Sequence, residues 1–223
     1  MTGDHAPAWK RNLPNQLTGL RIVLAAAFVA LLSIYLHRAT GWKGDPSIPL
    51  AALVLFVVAA LTDALDGHLA RKWNVVSVFG RIADPFADKI LVLGAFVMLC
   101  GPAFQFVRIN GDRVQASGVL PWMVVVILAR DLLVTTLRAL VEGRGQSFAA
   151  IGAGKLKMLV QSVGAPVILL VVWLDALRRH DPAPTPYASI AAVAAWIVTL
   201  VTAWSAVPYV VKGAAMLREP ARG

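Results

Sequence analysis

Six runs of about 20 mostly apolar residues recur along this chain, at about 17–37, 48–70, 85–107, 119–142, 155–177 and 187–211. Each is long enough to cross the roughly 30 Å hydrocarbon core of a bilayer as a helix. In lipid, a helix is one of only two structures that satisfy every backbone polar group internally. The apolar excess is spread along the chain. Of 223 residues, 58% are hydrophobic and 15% charged, where a soluble domain carries about a quarter charged residues. The fold class expected is all-α, an integral membrane bundle of six transmembrane helices. The separating segments, such as "HRATGWKGDPS" and "RRHDPAPTP", hold the breakers and the charge. The division expected is an interfacial N-terminal segment (1–16), the helical bundle (17–211) and a basic tail (212–223).

Lysine and arginine set the orientation, because cytoplasmic loops gather them. With the N-terminus inside, the inner face collects Lys10, Arg11, Arg21, Arg71, Lys72, Arg81, Arg138, Lys155 and Lys157 among others. The outer face keeps Arg38, Lys43, Arg108, Arg113, Arg178 and Arg179. Both termini are therefore expected on the cytoplasmic side, with Trp42, Trp122 and Tyr187 at the outer interface and Trp73 and Tyr209 at the inner one. The net charge of +9 is read as attraction to anionic membrane lipids, and no nucleic-acid partner is expected. A lone cysteine, Cys100, excludes an internal disulfide framework.

Against this apolar background, "LTDALDGHLARKWNVVSVFGRIADPFADKI" (61–90) holds four aspartates. Asp63 and Asp66 stand at i, i+3, and Asp84 and Asp88 at i, i+4, so each pair shares one helix face. The orientation places all four at the cytoplasmic ends of the second and third spans. Without a cation, crowded carboxylates repel one another and lose hydration. Oxygen-only ligands suit a hard divalent ion, and four of them suffice for two ions clamping a phosphoryl displacement. Gly67, Ala70 and Gly80 keep the backbone open to a flat or bulky group. Arg71 brings a planar fork suited to phosphate. Two other readings stand beside this one: acids paired with neighbouring Arg71, Lys72, Arg81 and Lys89, or a cation or proton pathway of the kind transporters use.

The pattern Asp63-x-x-Asp66-Gly67-x-x-Ala70-Arg71, then Gly80-x-x-x-Asp84-x-x-x-Asp88, resembles the signature of the CDP-alcohol phosphatidyltransferases, with all eight positions filled. The resemblance implies a six-span membrane enzyme, a homodimer, that moves a phosphatidyl group from CDP-diacylglycerol to an alcohol and releases CMP. It implies Mg²⁺ or Mn²⁺, two ions, held by Asp63, Asp66, Asp84 and Asp88. It makes Asp88 the general base as well. Gly67, Ala70, Arg71, Ser77 and Gly80 would meet the CDP-diacylglycerol donor. A bacterial inner membrane, with the active site facing the cytoplasm, is the implied location.

The segments "NLPNQLTGLR", "GRIADPFADKI", "ARDLLVTTLRAL" and "GAGKLKM" are similar to the branch of the family whose acceptor is sn-glycerol 3-phosphate. Inositol phosphate, phosphatidylglycerol and serine are the alternative acceptors. Asp131 stands where that branch usually carries Glu, one methylene longer, which leaves the geometry of Arg130's partner open. A phosphorylated acceptor needs cations, and Arg138, Lys155, Lys157, Arg130 and Lys89 are the candidates for its phosphate. Arg130 serves either that role or an ion pair with Asp131. Arg138, Lys155 and Lys157 serve either that role or anchorage at the headgroups. Asn15 and Thr18 either meet the donor or cap the first span. Arg21 is expected to snorkel, and "KRNLPNQLTGLR" to form a short interfacial helix.

Overall fold

The computed structural model describes residues 8–38, 46–73, 78–107, 113–148, 151–178 and 186–218, and leaves the side chains of 8–15, 35–38, 64, 66–73, 78–85, 103, 106, 107 and 113 undescribed. The chain divides into two compact units, residues 1–103 and 104–223. The expected all-α character holds, with one short β-hairpin added.

The first unit is three helices: α1 (Ala8–Arg38), α2 (Ser47–Trp73) and α3 (Val78–Leu99). α1 packs on both α2 and α3. Its buried stripe, Ala25, Phe28 and Leu32, faces Ala52, Phe56 and Ala59 of α2 and Ala87, Leu91, Ala95 and Phe96 of α3. Alanines at helix interfaces let backbones approach closely, which is how association proceeds where lipid offers no hydrophobic drive. Phe28 and Phe56 meet edge-on, with ring centroids 5.8 Å apart. Large apolar side chains point outward, among them Val23, Val54, Leu61 and Leu65.

Two expectations for α1 are corrected here. "KRNLPNQLTGLR" is no separate helix: α1 runs unbroken for 31 residues, about 46 Å at 1.5 Å per residue. Asn15 and Thr18 therefore lie inside α1 and not at its start, so neither caps the span, and Thr18 is buried. The third apolar run is also shorter than expected. α3 stops at Leu99; Cys100 N–H donates to Phe96 O (3.1 Å) and Gly101 N–H to Met98 O (3.0 Å). Pro102 then ends the helix, since it has no N–H to continue it.

The second unit opens with the antiparallel pair β1 (Gln105–Val107) and β2 (Arg113–Gln115), in register Gln105↔Gln115 and Val107↔Arg113. Four helices follow: α4 (Pro121–Glu142), α5 (Gly152–Leu177), α6 (Tyr187–Trp204) and α7 (Ala206–Arg218). α6 packs on α4 and α5, and α7 packs on α4. Gly118, at φ +65°, passes so close to α6 that a Cβ would fall 2.3 Å from Ala192 Cα. Only glycine suits both that dihedral and that approach.

The sixth apolar run is broken into α6 and α7 at Ser205. Pro208 gives the reason: it offers no N–H to the carbonyl four residues back, Trp204, and its ring clashes with that carbonyl. Among the described residues, three stretches are long and apolar enough to cross a membrane: Gln16–Ile34, Gly152–Leu177 and the broken run Tyr187–Arg218. A shorter apolar run covers Ser47–Asp63.

Candidate active site

In the first unit, α2 carries Asp63, Asp66, Gly67, Ala70 and Arg71, and α3 carries Gly80, Asp84 and Asp88. The helical backbone thus delivers both aspartate pairs at the spacings that put each on one face. The side chains of Asp66, Gly67, Ala70, Arg71, Gly80 and Asp84 lie outside the described residues, as do Ser77 as a whole and the side chain of Asn15. Asp63 and Asp88 are described, and both are half-buried. Lys89 beside Asp88 is exposed.

Asp63 does not stand alone. Arg21 of α1 sends its guanidinium to Asp63 Oδ1, and the arginine is 0% exposed. This overturns the expectation that Arg21 snorkels: its head is buried inside the unit. A buried guanidinium is tolerated only when paired, so buried Arg21 leans on Asp63, whose own side chain is 37% exposed. The four candidate ligands are all carboxylates, hard donors that fit a hard divalent ion, and a carboxylate has about four lone-pair sites. One guanidinium contact therefore leaves Asp63 able to ligate.

The second unit holds a compact buried ionic group. Arg130 and Asp131 are adjacent on α4, with Arg130 Nη1 3.2 Å from Asp131 Oδ1. Lys157 of α5 donates to the other oxygen, Asp131 Oδ2, at 2.8 Å. All three side chains are nearly buried, at 9%, 9% and 12% exposure. The shorter Asp131 therefore reaches Arg130 and also captures Lys157. Arg130 Nε donates to Ser205 Oγ at 2.9 Å, and Ser205 Oγ donates on to Thr202 O at 2.7 Å. The Tyr209 ring lies beneath the guanidinium, 5.4 Å from Cζ to centroid. One turn further along α5, buried Gln161 Nε2 donates to Thr202 Oγ1 at 3.0 Å.

The five acceptor candidates thus separate. Arg130 and Lys157 converge on Asp131. Arg138 instead pairs with Glu142 at 3.6 Å in a half-exposed i, i+4 contact, and Lys155 is exposed. Among the described residues, Arg130 Nη2 is buried with no hydrogen-bond partner. Sequence reasoning missed Ser205 and Tyr209. Tyr209 is 4% exposed and belongs to the core with Val134, Val141 and Phe148, which corrects its expected place in an interfacial belt. The proline three residues beyond Ser205 was the available signal, since it marks the break that turns that hydroxyl toward Arg130.

The carboxylates on two helices and the complete eight-position motif define a class: the chain belongs to the CDP-alcohol phosphatidyltransferases, whose family pattern it matches over residues 11–210. It is an integral membrane transferase, and divalent metal ions serve this family. Within the family it is 35% identical over 196 residues to the CDP-diacylglycerol–glycerol-3-phosphate 3-phosphatidyltransferase of Bacillus subtilis (strain 168), covering 86% of this chain and 92% of the relative. The protein of the same name from Cereibacter sphaeroides is 34% identical over 170 residues, 75% of this chain and 67% of that one. The Rickettsia felis protein of that name is 33% identical over 171 residues, 74% of this chain and 82% of that one.

Proposed function

We propose that this protein transfers the phosphatidyl group of CDP-diacylglycerol to sn-glycerol 3-phosphate, giving phosphatidylglycerophosphate and CMP. Family membership supports the transfer chemistry, and the relatives' names agree with this acceptor. The observation that carries the acceptor choice is the buried group of Arg130, Lys157 and Asp131. Two cations around one carboxylate leave a net positive charge in a desolvated place, which favours an anionic, phosphate-bearing acceptor over zwitterionic serine. Arg130 also keeps a buried donor, Nη2, without a partner among the described residues.

In the transfer, a hydroxyl oxygen of the acceptor attacks the phosphorus that bears the diacylglycerol. The bond from that phosphorus to the bridging oxygen breaks, and CMP departs with the electron pair. Asp88 takes the hydroxyl proton, a role typically worth about 10²–10⁴-fold. Asp63, Asp66, Asp84 and Asp88 would hold Mg²⁺ or Mn²⁺, two ions in this reading. When bound, such ions neutralise charge on the phosphoanhydride and on the departing nucleotide. Arg21 fixes Asp63 for that duty. Arg71 takes the donor's diphosphate, while Gly67, Ala70 and Gly80 admit the nucleotide closely, with Ser77, Asn15 and Thr18 as further donor contacts. Arg130 and Lys157 take the acceptor's phosphate; Arg138, Lys155 and Lys89 supply outer positive charge.

The same reading carries the finer points of placement. Six spans, both termini in the cytoplasm, an active site on that face of a bacterial inner membrane, a homodimer and anionic lipid neighbours all follow from the positive-inside bias or from the family. Donor tails stay in the bilayer while the head reaches the aqueous face.

The test is CMP release by purified protein in detergent, with CDP-diacylglycerol, a divalent metal and one acceptor at a time. Glycerol 3-phosphate is expected to support release, and Asp88→Asn to reduce it by about 10²-fold or more. Release with inositol phosphate, phosphatidylglycerol or serine instead would overturn the acceptor. Uptake of cations into sealed vesicles without CMP release would point to transport.

A further inference from the structure

Arg130 is held on several sides. Asp131 takes Nη1, Ser205 takes Nε, and the Tyr209 ring lies under the guanidinium. Tyr209 is the member of this group that reaches furthest. Its hydroxyl accepts the Ile151 N–H at 3.3 Å, where the loop from α4 enters α5. The ring stacks on Phe148 of the same loop, with centroids 5.8 Å apart and planes 11° from parallel. Lys212, one turn along α7, lies over Phe148 at 5.4 Å. A cation, two aromatic rings and a second cation thus follow one another, Arg130 to Tyr209 to Phe148 to Lys212.

The start of α5 is shaped to receive this tyrosine. A Cβ on Gly154 would fall 2.3 Å from Tyr209 Oη and 3.1 Å from Cζ. Three residues beyond Gly154, on the same helix, stands Lys157, the other cation bound to Asp131. Tyr209 therefore touches Arg130 of α4 and fixes the entrance to the helix that carries Lys157. Packing alone would be served as well by leucine. A ring face under a guanidinium and a phenol on a backbone N–H have a narrower use: they hold a planar fork at one angle.

We propose that Tyr209 is a positioning residue for the acceptor. It holds Arg130 flat, with Nη2 presented to the acceptor's phosphate, and sets the α5 entrance so that Lys157 meets the same phosphate group. The proposal rests on the reading above that Arg130 binds that phosphate. Tyr209 itself touches no substrate and acts through Arg130 and the loop.

The experiment is steady-state kinetics on the purified full chain in detergent, measuring KM for glycerol 3-phosphate and for CDP-diacylglycerol separately. Arg130→Gln comes first, because it tests the underlying reading, and it is expected to raise the acceptor KM at least about tenfold. Tyr209→Leu is expected to raise the acceptor KM about threefold to tenfold, the loss of one buried cation–π contact, with the donor KM within about twofold of wild type. Tyr209→Phe, which keeps the ring, is expected to stay nearer wild type than the leucine variant.

Gly154→Ala supplies a second route should Tyr209→Leu fail to fold. The added methyl displaces the hydroxyl and is expected to raise the acceptor KM, and pairing it with Tyr209→Phe is expected to return part of the loss. A merely structural tyrosine would move both KM values together, or only the melting temperature and yield, and that result overturns the proposal. An Arg130→Gln effect on acceptor KM with none from Tyr209→Leu overturns the proposal and leaves the acceptor reading standing. No effect from Arg130→Gln overturns that reading, and this inference falls with it.

Discussion

Asp131 holds two buried cations at once, Arg130 on one oxygen and Lys157 on the other. Its carboxylate lowers the charge of the three-residue group from two positive to one, which is what makes the cluster tolerable away from water. Breaking a buried pair by removing one partner typically costs about 3–5 kcal/mol. Asp131→Ala is therefore expected to destabilise the protein by about 3 kcal/mol or more, read as a lower midpoint in a detergent-solubilised melt. Asp131→Glu keeps the charge and is expected to lose much less. Equal melting of wild type and the alanine variant would show that the group is hydrated and not buried as described. The same logic applies to Arg21, a buried cation paired with Asp63, whereas Asp63 is partly exposed and reaches water on its own.

Among the elements, the break between α6 and α7 does more than turn the chain. It frees the Ser205 hydroxyl from a regular helix surface and puts it between Thr202 O and Arg130 Nε. Pro208→Ala removes the cause of the break and is expected to raise the acceptor KM about threefold to tenfold, the range that a lost hydrogen bond to a charged group implies. The donor KM should stay put; a variant with unchanged acceptor KM would detach the break from the site. This break was not legible in the apolar run, because Pro208 interrupts hydropathy by one residue only. The helices themselves were legible, since about 20 apolar residues in lipid have almost no alternative. β1 was hidden in the third run's apolar end and β2 in the polar segment after it, although Asn110-Gly111 between them is a strong hairpin dipeptide. The aspartates of the motif were legible because i, i+3 and i, i+4 spacing is local. Arg21 on Asp63 and Arg130 on Ser205 were not, as the second joins residues 75 positions apart and nothing local announces it.

Across the described residues of both units, many large apolar side chains are exposed. Exposed Val125, Leu132, Leu159, Val193 and Val211 suit lipid tails, not water. In the first unit, the described hydrophobic core is packed from alanine, leucine, phenylalanine and valine. Chelation is therefore expected to abolish CMP release while leaving the helical circular dichroism signal unchanged, and added Mg²⁺ or Mn²⁺ to restore activity. Loss of helix on chelation would make the ion part of the fold.

Ser205 and Tyr209 also have a place in time. A ribosome makes Asp63 to Asp88 early and adds α7 long after, so the newborn chain carries its whole aspartate motif before the clamp on Arg130 exists. A product cut short within α6 would keep every motif residue, yet Arg130 would lack the serine and tyrosine that aim it. With Arg130 as the acceptor's partner, as proposed, competence toward the acceptor is deferred until the late residues have emerged, a built-in order of assembly that follows from where one proline and one tyrosine fall along the message.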